Sequence, residues 1–313
     1  MRHFLLAPAA IVLFGCAFSP DTAADGDTAL QEEPCPEQDV HDIPQEIGLL
    51  DIFRETYPTT SFTAKYDEDL RDWAVTVSTA GRSAELYWAE GKLLPKEEIQ
   101  NATDYEPIIY EYPKEIPDPA SFSEEYIEHI RQYSSPQNRA EAPGTPPFFF
   151  DVVYDCGTRA SAERHLVRDT FLGKRLTIHV RIQDALRRVE KRLLASAQTD
   201  GEVRDFISQL LRIEAYSWRS IRDSKNRSFH SLGIAIDILP KNWGQKNVYW
   251  AWRRDIDPQN WMRLPLDRRW MPPPSVIEIF EDEGFIWGGK WIIWDNMHFE
   301  YHPELTMHSR QSR

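Results

Sequence analysis

The sequence predicts an α+β fold, because strand-like and helix-like patterns occupy separate stretches of the chain. Apolar and polar residues alternate at residues 61–66, 73–77 and 84–89, with turn residues at 80–82 and 90–91. These features indicate a small antiparallel meander. In the second half of the chain helical periodicity dominates, and the stretches that indicate strands are short.

Apolar residues from Ile178 to Leu193 recur every three or four positions, which predicts a core-facing helix over residues 176–197. Further helices are predicted over residues 202–213 and 275–283. Three short strands should alternate with these helices or follow them. They lie around Tyr216, at residues 234–239 and near His298.

The first sixteen residues have the features of an export signal. Arg2 precedes an apolar run, residues 4–14, which is too short to span a bilayer as a mature helix. The run ends in Leu13-Phe14-Gly15-Cys16, which resembles the lipobox of bacterial lipoproteins. The resemblance implies that residues 1–16 are a lipoprotein signal peptide and that Cys16 carries the lipid. An ordinary cleaved signal peptide is the alternative, and either one predicts an exported protein.

Residues 17–46 are predicted to form a disordered acidic tether. Between Ala17 and Leu50 the chain carries nine carboxylates and no lysine or arginine. The formal net charge of the whole chain is −14, which argues against nucleic acid as a partner. Cys35 and Cys156 lack the CxxC spacing of a zinc site, and whether they pair in a disulfide stays open.

The rest of the chain is divided at residue 147. Residues 47–147 are predicted to be an accessory β-rich region, and residues 102–147, rich in Pro, Tyr and Glu, an irregular connector. The connector ends at Pro146-Pro147. Residues 148–313 are predicted to be the domain that carries the chemistry.

Two segments place ionisable side chains in apolar surroundings: residues 228–237 (SFHSLGIAID) and residues 287–300 (WGGKWIIWDNMHFE). They offer two imidazoles and two carboxylates. A carboxylate between Ile236 and Ile238 is costly to bury unless it is paired or bound to a metal. Two histidines and one carboxylate, with a fourth position left to water, form a familiar catalytic zinc shell.

The spacing of these residues constrains their positions. His230 and Asp237 are seven residues apart and would face opposite sides of one strand. His230 should therefore lie in a loop before the strand, where Gly233 lets the backbone turn. Asp295 lies three residues before His298 and should sit just off the strand, close to a metal but not forced to bind it. A carboxylate so placed can take a proton from an attacking water and deliver it to a leaving amine.

The pattern SxHxxGxAxD, followed by WGGxW and DxxHFE, resembles the LAS-type zinc metallopeptidases of the M15 group. These include D-alanyl-D-alanine carboxypeptidases and L-alanyl-D-glutamate endopeptidases. The resemblance implies that His230, Asp237 and His298 bind one Zn²⁺ and that Asp295 is the general base, where relatives commonly carry Glu. It implies a small antiparallel sheet flanked by helices that carries the metal, and it covers about residues 148–305.

Outside the metal ligands, the resemblance assigns substrate binding to Arg219 and Ser228, because relatives often carry Arg and Ser at these positions. An ion pair at the surface is the alternative for Arg219, and a turn cap is the alternative for Ser228. Glu300 is expected to be a hydrogen-bond partner rather than a fourth ligand. His302 is expected at the surface. The tryptophans of the second segment are expected in the core, with one lining a cleft.

The expected function is zinc-dependent hydrolysis of peptidoglycan stem peptides by a D-alanyl-D-alanine carboxypeptidase. The first alternative is an endopeptidase acting at L-alanyl-D-glutamate or at a cross-link. An alternative of another class is a non-catalytic cell-wall-binding lipoprotein, although such a binder has no need of a base beside a metal. The expected location is outside the cytoplasm, on a membrane facing the periplasm or cell wall.

Lipidation at Cys16 can be tested directly. Cys16→Ser should leave an unlipidated protein that no longer partitions into detergent, because the lipid supplies the anchor and the acidic tether supplies none. The measurement is phase partitioning of wild type and variant expressed in a bacterium. A wild-type protein that stays in the aqueous phase would contradict the lipobox interpretation.

Overall fold

The fold is described from a computed structural model of the chain, which covers residues 47–311. The predicted signal peptide, acidic tether, Cys16 and Cys35 lie outside these residues. The helices are α1 (Leu49–Thr56), α2 (Glu124–Tyr133), α3 (Pro136–Glu141), α4 (Phe148–Tyr154), α5 (Arg159–Glu163), α6 (Gln183–Ser196), α7 (Gly201–Ser208), α8 (Trp250–Ile256), α9 (Pro274–Asp282) and α10 (Pro303–Gln311). The strands are β1 (Thr60–Asp67), β2 (Asp72–Thr79), β3 (Arg82–Tyr87), β4 (Leu166–Phe171), β5 (Lys174–His179), β6 (Leu210–Glu214), β7 (Ala235–Pro240), β8 (Phe285–Trp287) and β9 (His298–Tyr301).

Three small antiparallel sheets organise the described residues. Strands β1, β2 and β3 form the predicted meander, β4 pairs with β5, and the third sheet has the order β6-β7-β9-β8. The mixture of helices and small antiparallel sheets is consistent with the α+β class. In the third sheet β7 and β9 are neighbours, and their register places Asp237 opposite His298.

The helix predicted over residues 176–197 is wrong at its start. Residues up to His179 belong to β5, and α6 begins only at Gln183. Leu176 and Ile178 are two residues apart and pair with β4, so they satisfy the period of a strand. Ile178 and Ile182 also fit a helical spacing of four, and for that reason the sequence pattern extends the helix too far.

Two further predictions are wrong, one because pairing with a neighbouring strand overrides local pattern, and one because serine caps start helices within the predicted connector. Helix α7 ends at Ser208, and residues 210–214 form β6, which pairs with β7 and replaces the strand expected around Tyr216. The connector predicted to be irregular contains α2 and α3. Each of these helices begins after a serine, Ser123 or Ser135, whose hydroxyl accepts a hydrogen bond from the first turn.

One hydrophobic core joins residues 47–147 to the rest of the described chain. Phe149 of α4 lies at the junction, and its ring centroid is 4.8 Å from that of Phe53 and 5.3 Å from that of Tyr57. The boundary predicted at residue 147 thus separates two segments that bury their apolar side chains together. Among the described helices, none is long and apolar enough to cross a bilayer. Cys156 is buried and makes no disulfide within the described residues.

Phe149→Ala should lower the free energy of unfolding by about 3–5 kcal/mol, because it removes a fully buried ring at the junction of the two segments. Denaturant titration of the purified protein measures this loss. Leu194→Ala on the exposed side of α6 is the control and should change the free energy by about 0.5 kcal/mol or less. Equal effects of the two substitutions would contradict the shared core.

Candidate metal centre

His230 lies in a short helical turn, Phe229–Leu232, directly before β7, as its spacing from Asp237 predicts. Ser228 begins the turn, and its hydroxyl accepts a hydrogen bond from the His230 N–H at 3.3 Å. Gly233 ends the turn with φ +74°, and a Cβ atom there would lie 2.8 Å from the His179 backbone nitrogen. Only glycine fits this position, so the local sequence fixes where His230 enters the site.

Three side chains meet at the centre of the third sheet. His298 Nδ1 lies 2.7 Å from Asp237 Oδ1, and His230 Nε2 lies 3.2 Å from both Asp237 Oδ2 and His298 Nδ1. One possible ligand atom of each residue lies within 4.8 Å of the other two, and all three residues are buried. The structure therefore brings together the three residues predicted to bind the metal.

In each imidazole, the hydrogen-bond partner of one ring nitrogen determines whether the other nitrogen has a lone pair free to bind a metal. His230 Nδ1 lies 2.6 Å from the Ala215 carbonyl oxygen, which can only accept, so Nδ1 carries the hydrogen and Nε2 presents a lone pair. His298 Nε2 lies 2.8 Å from Glu300 Oε1, which likewise leaves the lone pair on Nδ1. Two lone pairs and the Asp237 carboxylate then point at one another. This donor set fits a cation such as Zn²⁺.

Electrostatics support an ionised Asp237. Burial alone would raise the pKa of the Asp237 carboxyl, but His230 and His298 hold that pKa below its usual range. A proton on His298 can stand in for a metal charge: burial disfavours it, while Glu300 and Asp237 raise the pKa of His298 well above its ordinary value. The site thus requires a positive charge between its acceptors.

Asp295 lies beside this group and not within it. The Asp295 N–H donates to the Gly288 carbonyl at 2.9 Å, and a Cβ atom at Gly288 would lie 2.7 Å from the Asp295 carbonyl oxygen. The WGG segment therefore packs directly against the backbone of Asp295. The Oδ1 atom of Asp295 is buried and has no hydrogen-bond partner among the described residues. Burial raises the pKa of Asp295 to about 8, and Asp237 and Glu300 contribute, while His298 opposes the rise.

Glu300 is a hydrogen-bond partner of His298, as the sequence predicts. Burial alone would raise the pKa of Glu300, but His298 and His302 lower that pKa to about 2. The prediction that His302 lies at the surface is wrong. Its side chain is buried against the rings of Phe150 and Phe229 and contacts the carboxylates of Glu300 and Glu304. Pro303 does follow β9, but it also begins α10, to which Glu304 belongs.

A cavity of about 1460 Å³ opens onto the three buried residues and Asp295. Arg219 and Ser228 line it as well. The Arg219 guanidinium makes no hydrogen bond or ion pair with the described residues, so the predicted alternative of a surface ion pair has no partner there. Ser228 Oγ has the capping contact described above. Of the three tryptophans, Trp291 lines the cavity with its ring centroid 5.7 Å from that of His298.

Tyr249 belongs to the same cavity and has no signature in the sequence. Its backbone forms an antiparallel bridge with Asp295, which brings its phenol to the site from a distant part of the chain. Burial, followed by the charge of Asp295, raises the pKa of the phenol, while Arg222, Arg139 and Arg219 act in the opposite direction.

Comparison with protein families gives two matches. A model of the M15 peptidases, described as D-alanyl-D-alanine carboxypeptidase, matches residues 222–301. A model for a domain of unknown function matches residues 49–110. No curated protein and no solved structure matches the chain. The first match includes all three buried ligand candidates and Asp295, and it supports an M15-family metallopeptidase, a hydrolase that binds metal.

Metal binding at this centre can be measured without any substrate. The wild-type protein should bind one Zn²⁺ per chain, and His298→Ala should lose that binding, because a three-residue shell has no redundant ligand. Isothermal titration calorimetry on the chelator-treated proteins gives the stoichiometry and affinity. His129→Ala, at an exposed histidine, is the matched control. Wild-type affinity in His298→Ala would remove His298 from the shell.

Proposed function

We propose that the protein is a zinc-dependent peptidase that hydrolyses peptide bonds of peptidoglycan stem peptides, acting as a D-alanyl-D-alanine carboxypeptidase. The observation that carries the proposal is the convergence of His230, Asp237 and His298, with the unpartnered carboxylate oxygen of Asp295 beside them. The family description of residues 222–301 supports the choice of substrate. The predicted lipid on Cys16 would hold the enzyme to a membrane facing the periplasm or cell wall.

Each residue of the site has a distinct task in this mechanism. His230, Asp237 and His298 would hold one Zn²⁺, which when bound supplies Lewis acidity toward the scissile carbonyl and the attacking water. Asp295 accepts the proton of that water and delivers it to the departing amine.

Residues that line the cavity would bind the substrate. Arg219 would clamp the terminal carboxylate of a carboxypeptidase substrate, because its guanidinium is exposed to the cavity and has no partner among the described residues. Ser228 would hold the substrate backbone with the hydroxyl hydrogen that its capping contact does not use. The substrate's own carboxylate thus supplies the counter-charge that Arg219 lacks.

An endopeptidase is the second candidate, and the size of the cavity favours it. A volume of about 1460 Å³ leaves room for several residues after the cleaved bond, which an endopeptidase needs and a carboxypeptidase does not. A non-catalytic binder is disfavoured, since nothing in binding alone requires a buried carboxylate at Asp295, and burying one without partners is costly.

Incubation with defined muropeptides, followed by mass analysis of the products, tests the proposal. The carboxypeptidase releases a single D-alanine from a pentapeptide, whereas an endopeptidase releases larger fragments. Asp295→Asn should keep Zn²⁺ and lose turnover by about 10²–10⁴-fold, because a general base contributes that much. Turnover in Asp295→Asn close to that of the wild type would show that another group moves the proton. No cleavage of any muropeptide by the zinc-loaded wild type would refute the peptidase.

A further inference from the structure

The segment predicted to be a connector forms one wall of the cavity. Residues of α2 and α3 line the same cavity as the metal centre, and they are held there by contacts with the second half of the chain. Arg254 donates to the Ser134 carbonyl at 2.6 Å, and the Asn226 side chain packs against Gly144 so closely that no Cβ atom would fit. This wall lies outside the residues that the M15 model matches.

Arg139 of α3 is the cationic residue of this wall. Its guanidinium lies 5.7 Å from the centroid of the Tyr133 ring and makes one long hydrogen bond, of 3.4 Å, to the Tyr133 hydroxyl. Its Nε is buried and has no hydrogen-bond partner among the described residues. No carboxylate of the described chain forms an ion pair with it. Arg139 therefore faces the cavity with unused hydrogen-bond donors.

Arg139 and Arg219 come from different walls and share a target region. Both line the cavity together with Tyr249, whose backbone is bridged to that of Asp295. Two guanidinium groups without counter-charges in one cleft repel each other, and an anionic ligand that contacts both relieves the repulsion.

No carboxylate that lines the cavity forms an ion pair with Arg139 or Arg219 in the described part of the chain. Asp151 is paired with Arg227, and Glu214 with Arg212. A separate group of acidic residues also lines the cavity and gives it a mixed overall field. These are Asp104, Glu106 and Glu111. Recognition of an anion must therefore come from direct contact with the arginines rather than from a general positive potential.

We propose that Arg139 forms a second carboxylate-binding subsite, so that the cavity selects peptides with two carboxylates. Arg219 takes the C-terminal carboxylate, and Arg139 takes an internal one farther from the cleaved bond. This inference rests on the proposed peptidase function and narrows it to acidic stem peptides, in which the D-glutamyl residue supplies the internal carboxylate. The N-terminal half of the chain thereby sets substrate specificity.

Each arginine is replaced in turn and tested on peptides that lack one of the two carboxylates. The substrates are L-Ala-γ-D-Glu-L-Lys-D-Ala-D-Ala and its two monoamides, one at the α-carboxyl of D-Glu and one at the C-terminus. Arg139→Gln should lower kcat/KM about ten- to a hundredfold on the free acid and change it little on the D-Glu amide. Arg219→Gln should show the same selectivity for the C-terminal amide. Arg139→Lys should recover part of the loss.

An equal loss on all three peptides, or no loss, in Arg139→Gln would overturn the subsite. Affinity of the same peptides for the Asp295→Asn protein, measured by calorimetry, should show the same pairing. This binding readout separates the two proposals. If the wild type cleaves nothing, yet Arg139→Gln weakens binding of the free acid and of the C-terminal amide but not of the D-Glu amide, the peptidase fails and the subsite stands.

A second observation, independent of the cavity, concerns a buried chain of hydrogen bonds behind the metal centre. It runs from His298 Nε2 to Glu300 Oε1 at 2.8 Å, and from Glu300 Oε2 to His302 Nε2 at 3.3 Å. It continues from His302 Nδ1 to Glu304 Oε1 at 2.7 Å and ends where the Tyr57 hydroxyl donates to Glu304 Oε2 at 2.7 Å. All five residues are buried.

The geometry of this chain of hydrogen bonds determines which atoms carry the hydrogens. Both nitrogens of His302 face carboxylates, so both must donate. Glu300 then accepts from two imidazoles at once, and this holds the His298 ring with its Nδ1 toward Asp237. Tyr57 satisfies the last acceptor, Glu304 Oε2, at the far end. Removal of that donor leaves a buried carboxylate oxygen without a partner.

We propose that Tyr57 is a positioning residue for the metal centre. It lies in the segment matched by the domain of unknown function, and it reaches the ligand His298 only through Glu304, His302 and Glu300. The N-terminal segment would then be needed for the correct geometry of metal binding as well as for the core.

Tyr57→Phe keeps the ring and removes the donor. It should weaken Zn²⁺ binding roughly three- to tenfold, less than the 10–100-fold typical of a direct partner of a ligand, and shift the visible spectrum of the Co²⁺-loaded protein. Tyr87→Phe is the matched control, since Tyr87 is buried and also donates to a carboxylate, that of Asp67 at 2.9 Å, away from the chain. Wild-type affinity and an unchanged Co²⁺ spectrum in Tyr57→Phe, even with reduced stability, would overturn the proposal.

Discussion

Three buried acceptors that face one another need a positive charge, and much of the second half of the fold serves to hold them in place. The pairing of β7 with β9 places Asp237 opposite His298, and the turn that ends at Gly233 brings His230 to the same point. The Ala215 carbonyl and Glu300 then fix the outer nitrogens of the imidazoles. Without a cation or a proton between them, the two lone pairs and the carboxylate would repel each other in a medium of low polarity. Metal binding and the stability of this sheet are therefore linked.

The N-terminal half contributes to the site in three physical ways. Its apolar side chains share one core with the second half through Phe149. Its connector segment supplies Arg139 and the far wall of the cavity. Tyr57 ends the buried chain that begins at His298. These contacts join distant parts of the sequence, and Tyr57 and Glu304 are 247 residues apart, so the two segments act as one structural unit around the centre.

The sequence was informative where chemistry and spacing coincide in a short segment. The meander, the loop position of His230 and the offset of Asp295 from His298 follow from alternation, glycine placement and strand parity. The sequence pattern gave wrong predictions at Ile178, where the spacing fits both a strand and a helix. It was also wrong for β6, because pairing with β7 makes residues 210–214 a strand. It also failed for His302, because the rings of Phe150 and Phe229 that pack against it come from distant parts of the chain. Tyr249, Arg139 and Tyr57 carry no motif, since their roles depend on contacts between distant parts of the chain.

We expect the two imidazoles and the carboxylate to bind one metal ion, with His298 bound through Nδ1. Anomalous diffraction at the zinc absorption edge, from crystals of the protein grown with Zn²⁺, locates that ion. We expect one strong peak per chain at bonding distance from His230 Nε2, an Asp237 oxygen and His298 Nδ1, with His298 Nε2 still on Glu300. The Zn–N distances should be about 2.0–2.1 Å. A peak elsewhere, or a His298 ring turned so that Nε2 binds the metal, would contradict it.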